Sequence, residues 1–376
     1  MNKKSNDNVI KDFEQDHKEF SFDKEGGVDA IDGKPEKDSN SMKDSPIDQW
    51  SIQGIWNDID DLEFQRKPKK RTYISAGDVG KEDYWSRYMK MRGVPPTNPI
   101  PNRVFRIFQA GDVFHDFIKK IFKVTGLFIN SEDDWKDGKP QWSVTEPTED
   151  KLEVRGKYDI LVGGTPDLDA AIEWIENSNM SDFARMKAKR IAKYFAHEFK
   201  NGLRPLLYEV KSINSNAFWH KRRYLEDAYP HHKLQLFHYL QANDIHEGRL
   251  LYVSKDDMVV EEFPVFANDQ KLKERYEKDV KKMTWYYRNE KIPPQPPYTV
   301  FDEHKIYRFQ HNKQKRKVRG SWVPNWEVSR SNYLTLMTGY GDKDEFEKSD
   351  EVKAEIKKKN KEIKSEVLEK LEAKKD

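Results

Sequence analysis

Leu206-Leu-Tyr-Glu-Val-Lys-Ser-Ile213 reads as a short, mostly apolar strand, bounded by Gly202 and Pro205 before it and by Asn214-Ser-Asn216 after it. Two charged residues, Glu209 and Lys211, interrupt the apolar run at a spacing of two. Side chains alternate faces along a strand, so this pair projects from one face. A carboxylate and an ammonium at the end of a buried strand are costly unless they are paired or put to use. The carboxylate can hold a divalent metal, and the lysine can sit beside a phosphate or a metal-bound water. The same eight residues read equally well as a surface pair on an edge strand, so the rest of the chain has to decide.

The chain has 376 residues, enough for one large domain with tails or for two small domains. Its 68 basic and 66 acidic residues leave a net charge of +2, so any nucleic-acid surface must be a local patch. A low hydrophobic content of 36% beside 12% aromatics fits polar tails around an aromatic-rich core. The absence of cysteine rules out disulfides, thiolate zinc sites and cysteine-held iron–sulfur clusters, and is compatible with a reducing compartment. No apolar signal region follows Met1 and no run approaches 18 apolar residues, which predicts a soluble, cytoplasmic protein with no membrane partner.

Residues 1–65 are polar and read as a disordered N-terminal tail, in which Trp50, Ile52, Ile55, Trp56 and Leu62 could dock as a small helix. Lys67-Pro-Lys-Lys-Arg71 reads as a solvated linker, with a phosphate contact as the alternative. A helix is predicted over Asp78–Arg92, closed by Gly93. A second, over about Asn102–Val124, is apolar on much of its surface and is expected to be buried, with His115 inside it. Residues 141–149 and 152–162 read as a strand pair around Glu149-Asp-Lys151, Asp159 lying within the second. Residues 163–203 read as a basic helical insertion with helices over Asp169–Ile175 and Ser181–Phe199, Ser181 being a natural cap. After the Glu209 strand come Trp219, Lys221, Arg222 and Arg223, which can stack and clamp a single strand or form an amphipathic segment. A helix over His231–Ala242 places Gln235 and Tyr239 four apart on one face. A hairpin over Arg249–Phe266 turns at Asp256-Asp257, and a long helix spans about Asp269–Glu290. Pro293-Pro-Gln-Pro-Pro297 is read as ending regular structure. The basic run Lys313–Arg319, Trp322 and Trp326 follow, and 343–376 reads as a charged helical tail, solvated or offered to a partner.

Four elements then stand in order: His115 on a helix, Gly156-Lys-Tyr-Asp159 on a strand, Glu209-Val-Lys211 on the next, and Gln235-Leu-Phe-His-Tyr239 on a helix. This order resembles the PD-(D/E)xK nuclease superfamily, in its RecB-type branch with the CRISPR-adaptation exonucleases and AddB-type nucleases, over roughly residues 73–340. The resemblance implies an α/β (α+β) fold with a restriction-endonuclease-like core: a central mixed sheet flanked by helices, in a domain of residues 66–342. It implies Mg²⁺ or Mn²⁺ held by Asp159, Glu209, the Val210 carbonyl and His115. Hard cations take oxygen ligands, and an imidazole suits Mn²⁺ better than Mg²⁺. Lys211 would orient water or stabilise developing charge, and Gln235 and Tyr239 would position the DNA strand and Lys211. It implies a DNA exonuclease acting at ends in recombination, repair or end processing, as encoded by phages among others. A structure-specific endonuclease and a nuclease-like DNA-binding or assembly module are the alternatives. No Gly-x-x-x-x-Gly-Lys loop is present, so any unwinding would come from a helicase or recombination partner.

Each residue also has a plainer reading. His115 can be a satisfied core histidine, Asp159 a turn cap and Tyr239 plain core. Pro166-Asp167 and Glu198-Phe-Lys200 mimic the motifs, but Asp167 follows a turn and Glu198 lies in a helical stretch, where i and i+2 do not share a face. Many similar proteins hold an iron–sulfur cluster near Val79–Trp85 and Trp326–Tyr333. Here neither segment has a cysteine, and packing of Trp85, Trp322, Trp326 and Tyr333 is expected to join the chain ends instead.

Overall fold

The computed structural model describes residues 56, 68–98, 102–136, 139–140, 142–213 and 227–372. The chain divides into two compact units, Met1–Phe64 and Gln65–Asp376. Of the first, Trp56 is described, helical and exposed. The rest of the expected N-terminal tail and its apolar cluster lie outside the described residues. Everything below concerns the second unit.

Its centre is an α+β arrangement in which helices flank a mixed five-stranded sheet. The strands of the unit, in chain order, are β1 (Ile74–Ser75), β2 (Phe128–Ser131), β3 (Trp135–Lys136), β4 (Lys139–Pro140), β5 (Ser143–Thr145), β6 (Val154–Gly156), β7 (Ile160–Gly164), β8 (Leu203–Ile213), β9 (Glu247–Ser254), β10 (Val260–Phe266), β11 (Thr299–His311) and β12 (Gln314–Pro324). The main sheet runs β10-β9-β8-β7-β2. The opening stretch of sequence is therefore its middle strand, parallel to β9 and antiparallel to β7. An edge-strand reading of Glu209 and Lys211 is excluded.

Both faces of β8 are covered, which is why its sequence shows an apolar run rather than clean alternation. Leu207 lies in one buried cluster with Leu234, Phe237 and Leu240 of the helix Pro230–Ala242 and with Val280 and Met283 of the helix Gln270–Arg288. Val210 packs on the opposite side with Ile160, Val162 and Ile118. Fully burying each such side chain contributes about 1.5–3 kcal/mol.

Local signals set several boundaries. Asp269 caps the helix Gln270–Arg288 by accepting from Lys271 and Leu272 N–H, and Ser181 caps Asp182–Glu198 through Ala184 N–H. Asp167 caps Leu168–Glu176 in the same way, which accounts for the Pro-Asp mimic. The first helix starts later than periodicity predicts, at Tyr84, with Asp83 as its cap. Before it the chain turns through Gly80 at φ +78°, packed against Leu234.

Four expectations are corrected. The 152–162 strand is broken: β6 joins a small sheet with β1 and β5, and Asp159 stands just before β7 opens the pairing with β8. The helix Asn102–Thr125 is not buried all round, because Val113, Phe117 and Ile121 are exposed while Ile118, Phe114 and Phe122 face the sheet. Regular structure does not end at Pro297, since β11 and β12 form a long antiparallel ribbon. The C-terminal helix Asp350–Glu372 is docked on that ribbon. Val352 is fully buried, and the Asn360 carboxamide accepts from Trp322 N–H (2.9 Å) and donates to Trp322 O (3.2 Å). A side-chain amide there supplies the strand edge with the partner it lacks.

The segments near the two ends of the unit are joined by packing, with different members than expected. Trp85 meets Tyr333 edge to face at 6.1 Å, in a cluster with Val328, Leu334, Met337 and Phe346. Trp326 is 58% exposed, and Trp322 packs on Phe301 and under Lys359 instead.

Candidate metal centre

The site forms where the ladder between β7 and β8 stops. Ile160 pairs with Tyr208, and no strand pair follows it. The Val210 peptide, two residues on, meets side chains instead. Its N–H donates to Asp159 Oδ2 at 2.6 Å, and its carbonyl lies 3.1 Å from His115 Nε2. His115 approaches from the helix Asn102–Thr125, and its Nε2 is 3.8 Å from Asp159 Oδ2. Its Nδ1 is 3.1 Å from Glu132 Oε1. Glu132 follows β2 directly, and its N–H donates to the Asp159 carbonyl. His115, Glu132 and Asp159 can each offer a ligand atom, and these atoms all lie within 4.8 Å of one another.

Glu209 and Lys211 project from the face of β8 that carries Leu207. Lys211 Nζ donates to Glu209 Oε1 at 2.5 Å. Glu209 is 1% exposed, and its other oxygen, Oε2, is buried with no hydrogen-bond partner among the described residues. A buried carboxylate oxygen without a donor is costly. A cation at that oxygen removes the cost.

Electrostatics agree with the geometry. Burial, with Glu209 beside it, raises the Asp159 carboxyl well above its usual range, against the pull of His115 and Lys211. Burial also raises Glu209, partly offset by Lys211. Burial disfavours a charged His115, yet Glu132, Asp159 and Glu209 outweigh it and raise the imidazole to about 9. Both ring nitrogens face acceptors, so both carry protons in this arrangement. A metal ion taken up at Nε2 would replace that proton, while Glu132 would go on holding Nδ1–H and fix the tautomer. The donor set, carboxylate and carbonyl oxygens with one imidazole, fits a hard or borderline divalent cation.

Gln235 and Tyr239 stand behind this centre. Gln235 Nε2 donates to the Tyr239 hydroxyl at 3.1 Å, and Tyr239 is buried edge to face against Tyr158 at 6.4 Å. Burial, with Glu209 and Asp159 nearby, holds its phenol well above the ordinary range. Among the described residues neither side chain hydrogen-bonds Lys211. Tyr239 instead explains the glycine of the Gly-x-x-Asp motif: a Cβ on Gly156 would lie 2.7 Å from its ring and 2.6 Å from Ala76 Cβ. Trp219, Lys221, Arg222 and Arg223 lie outside the described residues. The second mimic, Glu198, ends a helix and pairs with the neighbouring His197.

The structure brings together His115, Asp159, Glu209, Val210 and Lys211 from the sequence motifs, and adds Glu132, which belongs to none of them. The available signal was Gly126-Leu-Phe-Ile-Asn-Ser131, a turn and short apolar strand ending in Glu132-Asp-Asp134. That acidic run resembles a surface turn.

A comparison with known protein families finds no match for this chain, and no curated protein matches it. Among solved structures, the crystal structure of SSO0001 is similar at 15% identity, over 65% of this chain and 90% of that one, with a TM-score of 0.36. A likeness at that level carries no argument about function. Among the described residues no helix is long and apolar enough to cross a membrane.

Proposed function

We propose that this chain is a divalent-metal-dependent deoxyribonuclease acting from DNA ends. The observation that supports this most is the buried Glu209, whose Oε2 has no hydrogen-bond partner among the described residues and whose charge acts on both Asp159 and His115, with Lys211 alongside. Asp159, Glu209, Val210 O and His115 would hold Mg²⁺ or Mn²⁺. Such an ion supplies charge to a phosphodiester and makes water more nucleophilic. Lys211 keeps its proton: burial pulls its pKa down, but Glu209 and Asp159 hold it above the ordinary range. It is thus a fixed cation beside the carboxylates, suited to stabilising negative charge on a phosphorane. Glu132 orients His115, and Tyr239 with Gln235 backs the strand pair.

The Gln-x-x-x-Tyr pair favours an exonuclease in recombination, repair or end processing, working with a separate unwinding partner. The test incubates the full chain and Lys211→Ala with end-labelled linear DNA and with covalently closed circles, in Mg²⁺, Mn²⁺ or EDTA. Metal-dependent shortening of the linear DNA by the wild type, lost in Lys211→Ala, is expected. No cleavage in either metal overturns the enzyme reading, and cutting of closed circles overturns the exonuclease reading in favour of an endonuclease.

A further inference from the structure

The ribbon of β11 and β12 has two unlike faces. Along its far half Tyr307 pairs with Val318 and Phe309 with Arg316, and these residues are half-buried on the side where Lys364 of the C-terminal helix lies over Phe309. The alternate pairs are Ile306 with Arg319, Arg308 with Lys317, and Gln310 with Lys315, all exposed. That second face carries four cations and no carboxylate. Arg308 and Lys317 stand directly opposite each other across the strands, a position where like charges repel. Among the described residues none of the four has an ion pair; Arg319 Nε donates to the backbone carbonyl of Glu303. A surface lysine face is ordinarily diluted by glutamates, as in this chain's own C-terminal helix. Here the chain keeps an undiluted, self-repelling cationic strip on a two-stranded ribbon.

We propose that this strip is a docking surface for the phosphate backbone of duplex DNA. Charge complementarity selects a polyanion. The three exposed pairs span five residues per strand, about 14 Å of ribbon at the usual strand rise, long enough to meet several phosphates. A two-stranded ribbon also has the dimensions of the major groove. The face has no aromatic side chain on which a single-stranded base could stack, since Tyr307, Phe309 and Trp322 belong to the other side. It has one apolar residue, Ile306, too little to enter a lipid surface. This goes beyond the metal centre but rests on the same reading of DNA as the substrate, giving the protein a hold on the duplex that does not depend on the reacting end.

The experiment measures binding without catalysis. Fluorescence anisotropy of a labelled 30-base-pair duplex of arbitrary sequence is followed in EDTA, across a series of salt concentrations. The full chain is compared with a quadruple variant, Arg308→Gln, Lys315→Gln, Lys317→Gln and Arg319→Gln. A control variant carries the same charge change on the exposed Lys353, Lys357, Lys358 and Lys361 of the C-terminal helix. The ribbon variant should bind at least about 10-fold more weakly near 0.1 M salt. The slope of log affinity against log salt should become shallower by about 3, close to one per lost phosphate contact. Its melting temperature should be unchanged or raised, because repulsion is removed. Equal losses in the two variants, an unchanged slope, dependence seen only with a single-stranded oligonucleotide, or dependence seen only with phosphatidylserine vesicles would each overturn the proposal. Because no metal is present, failure of cleavage and failure of docking are read separately.

Discussion

Glu132 Oε1 lies 3.1 Å from His115 Nδ1, while the other nitrogen of that ring faces Val210 O and Asp159. The contact decides which nitrogen is available to a cation, although Glu132 belongs to none of the motifs that mark the site in the sequence. Glu132→Ala should lower Mn²⁺ affinity about 10–100-fold, the usual effect of losing a carboxylate behind a ligating histidine. Thermal stability without metal should change little, because the Glu132 side chain is 30% exposed. Isothermal titration with Mn²⁺, beside a melt in EDTA, checks both parts. Unchanged Mn²⁺ affinity would remove Glu132 from the centre.

Gly156→Ala should destabilise the unit by about 1–3 kcal/mol, the range for an overpacked core. The added methyl meets Ala76 Cβ at 2.6 Å and the Tyr239 ring at 2.7 Å. Urea denaturation should show the loss with the slope unchanged, and a variant as stable as the wild type would mean the two elements can part freely.

Arg87 and Asp279 form a buried, two-pronged ion pair at 2.9 Å for each contact, linking the helices Tyr84–Arg92 and Gln270–Arg288. Tyr84 donates its hydroxyl to the same carboxylate at 2.7 Å. Asp279→Ala leaves a buried guanidinium unpaired and should cost about 3–5 kcal/mol. The double variant Arg87→Met with Asp279→Leu should recover most of that loss. If the double variant is no more stable than Asp279→Ala alone, the penalty is not that of an orphaned charge.

His238 gives a pH-dependent stability. Its Nε2–H donates to Ser143 O at 3.1 Å and its Nδ1 accepts from the Tyr276 hydroxyl at 2.9 Å, a pairing that suits the neutral ring. Burial lowers its pKa to about 4 from the ordinary 6.5. The unfolded chain therefore binds the extra proton between those values and the folded one does not. Stability from this residue is full above pH 6.5, falls as pH drops toward 4, and changes no further below that. The total is on the order of 3 kcal/mol. Denaturation midpoints from pH 8 to 4 should fall less steeply through this window in His238→Gln than in the wild type, the remaining slope coming in part from His231, which burial also lowers to about 4.

Much of the centre is legible in the sequence because its residues break local rules. Glu209 and Lys211 are charges in an apolar strand, and His115 is a polar ring in an apolar helix stripe. Glu132 breaks no rule, because an acid after a four-residue strand looks like any turn; its role comes from the β2–β7 register, which is a tertiary fact. The ribbon was obscured by its own cations. Its Lys and Arg side chains weaken the strand signal on one face, and its aromatics suit many structures until the C-terminal helix covers them. Trp326 was misjudged for a related reason: tryptophan is usually buried, but here Val328 and Tyr333 fill the cluster first.

The way β7 begins has one further consequence. The Val210 peptide is open to a histidine and an aspartate only because the neighbouring strand starts two residues too late to claim it. What makes the centre is thus partly a length, the number of residues by which β7 falls short, and length can change without altering any liganding side chain. A substitution that drew Tyr158 into the ladder opposite Val210 would let backbone amides seal the Val210 peptide. The chain would then fold and keep His115, Asp159, Glu209 and Lys211, yet have lost the opening in the sheet that gives them a common focus.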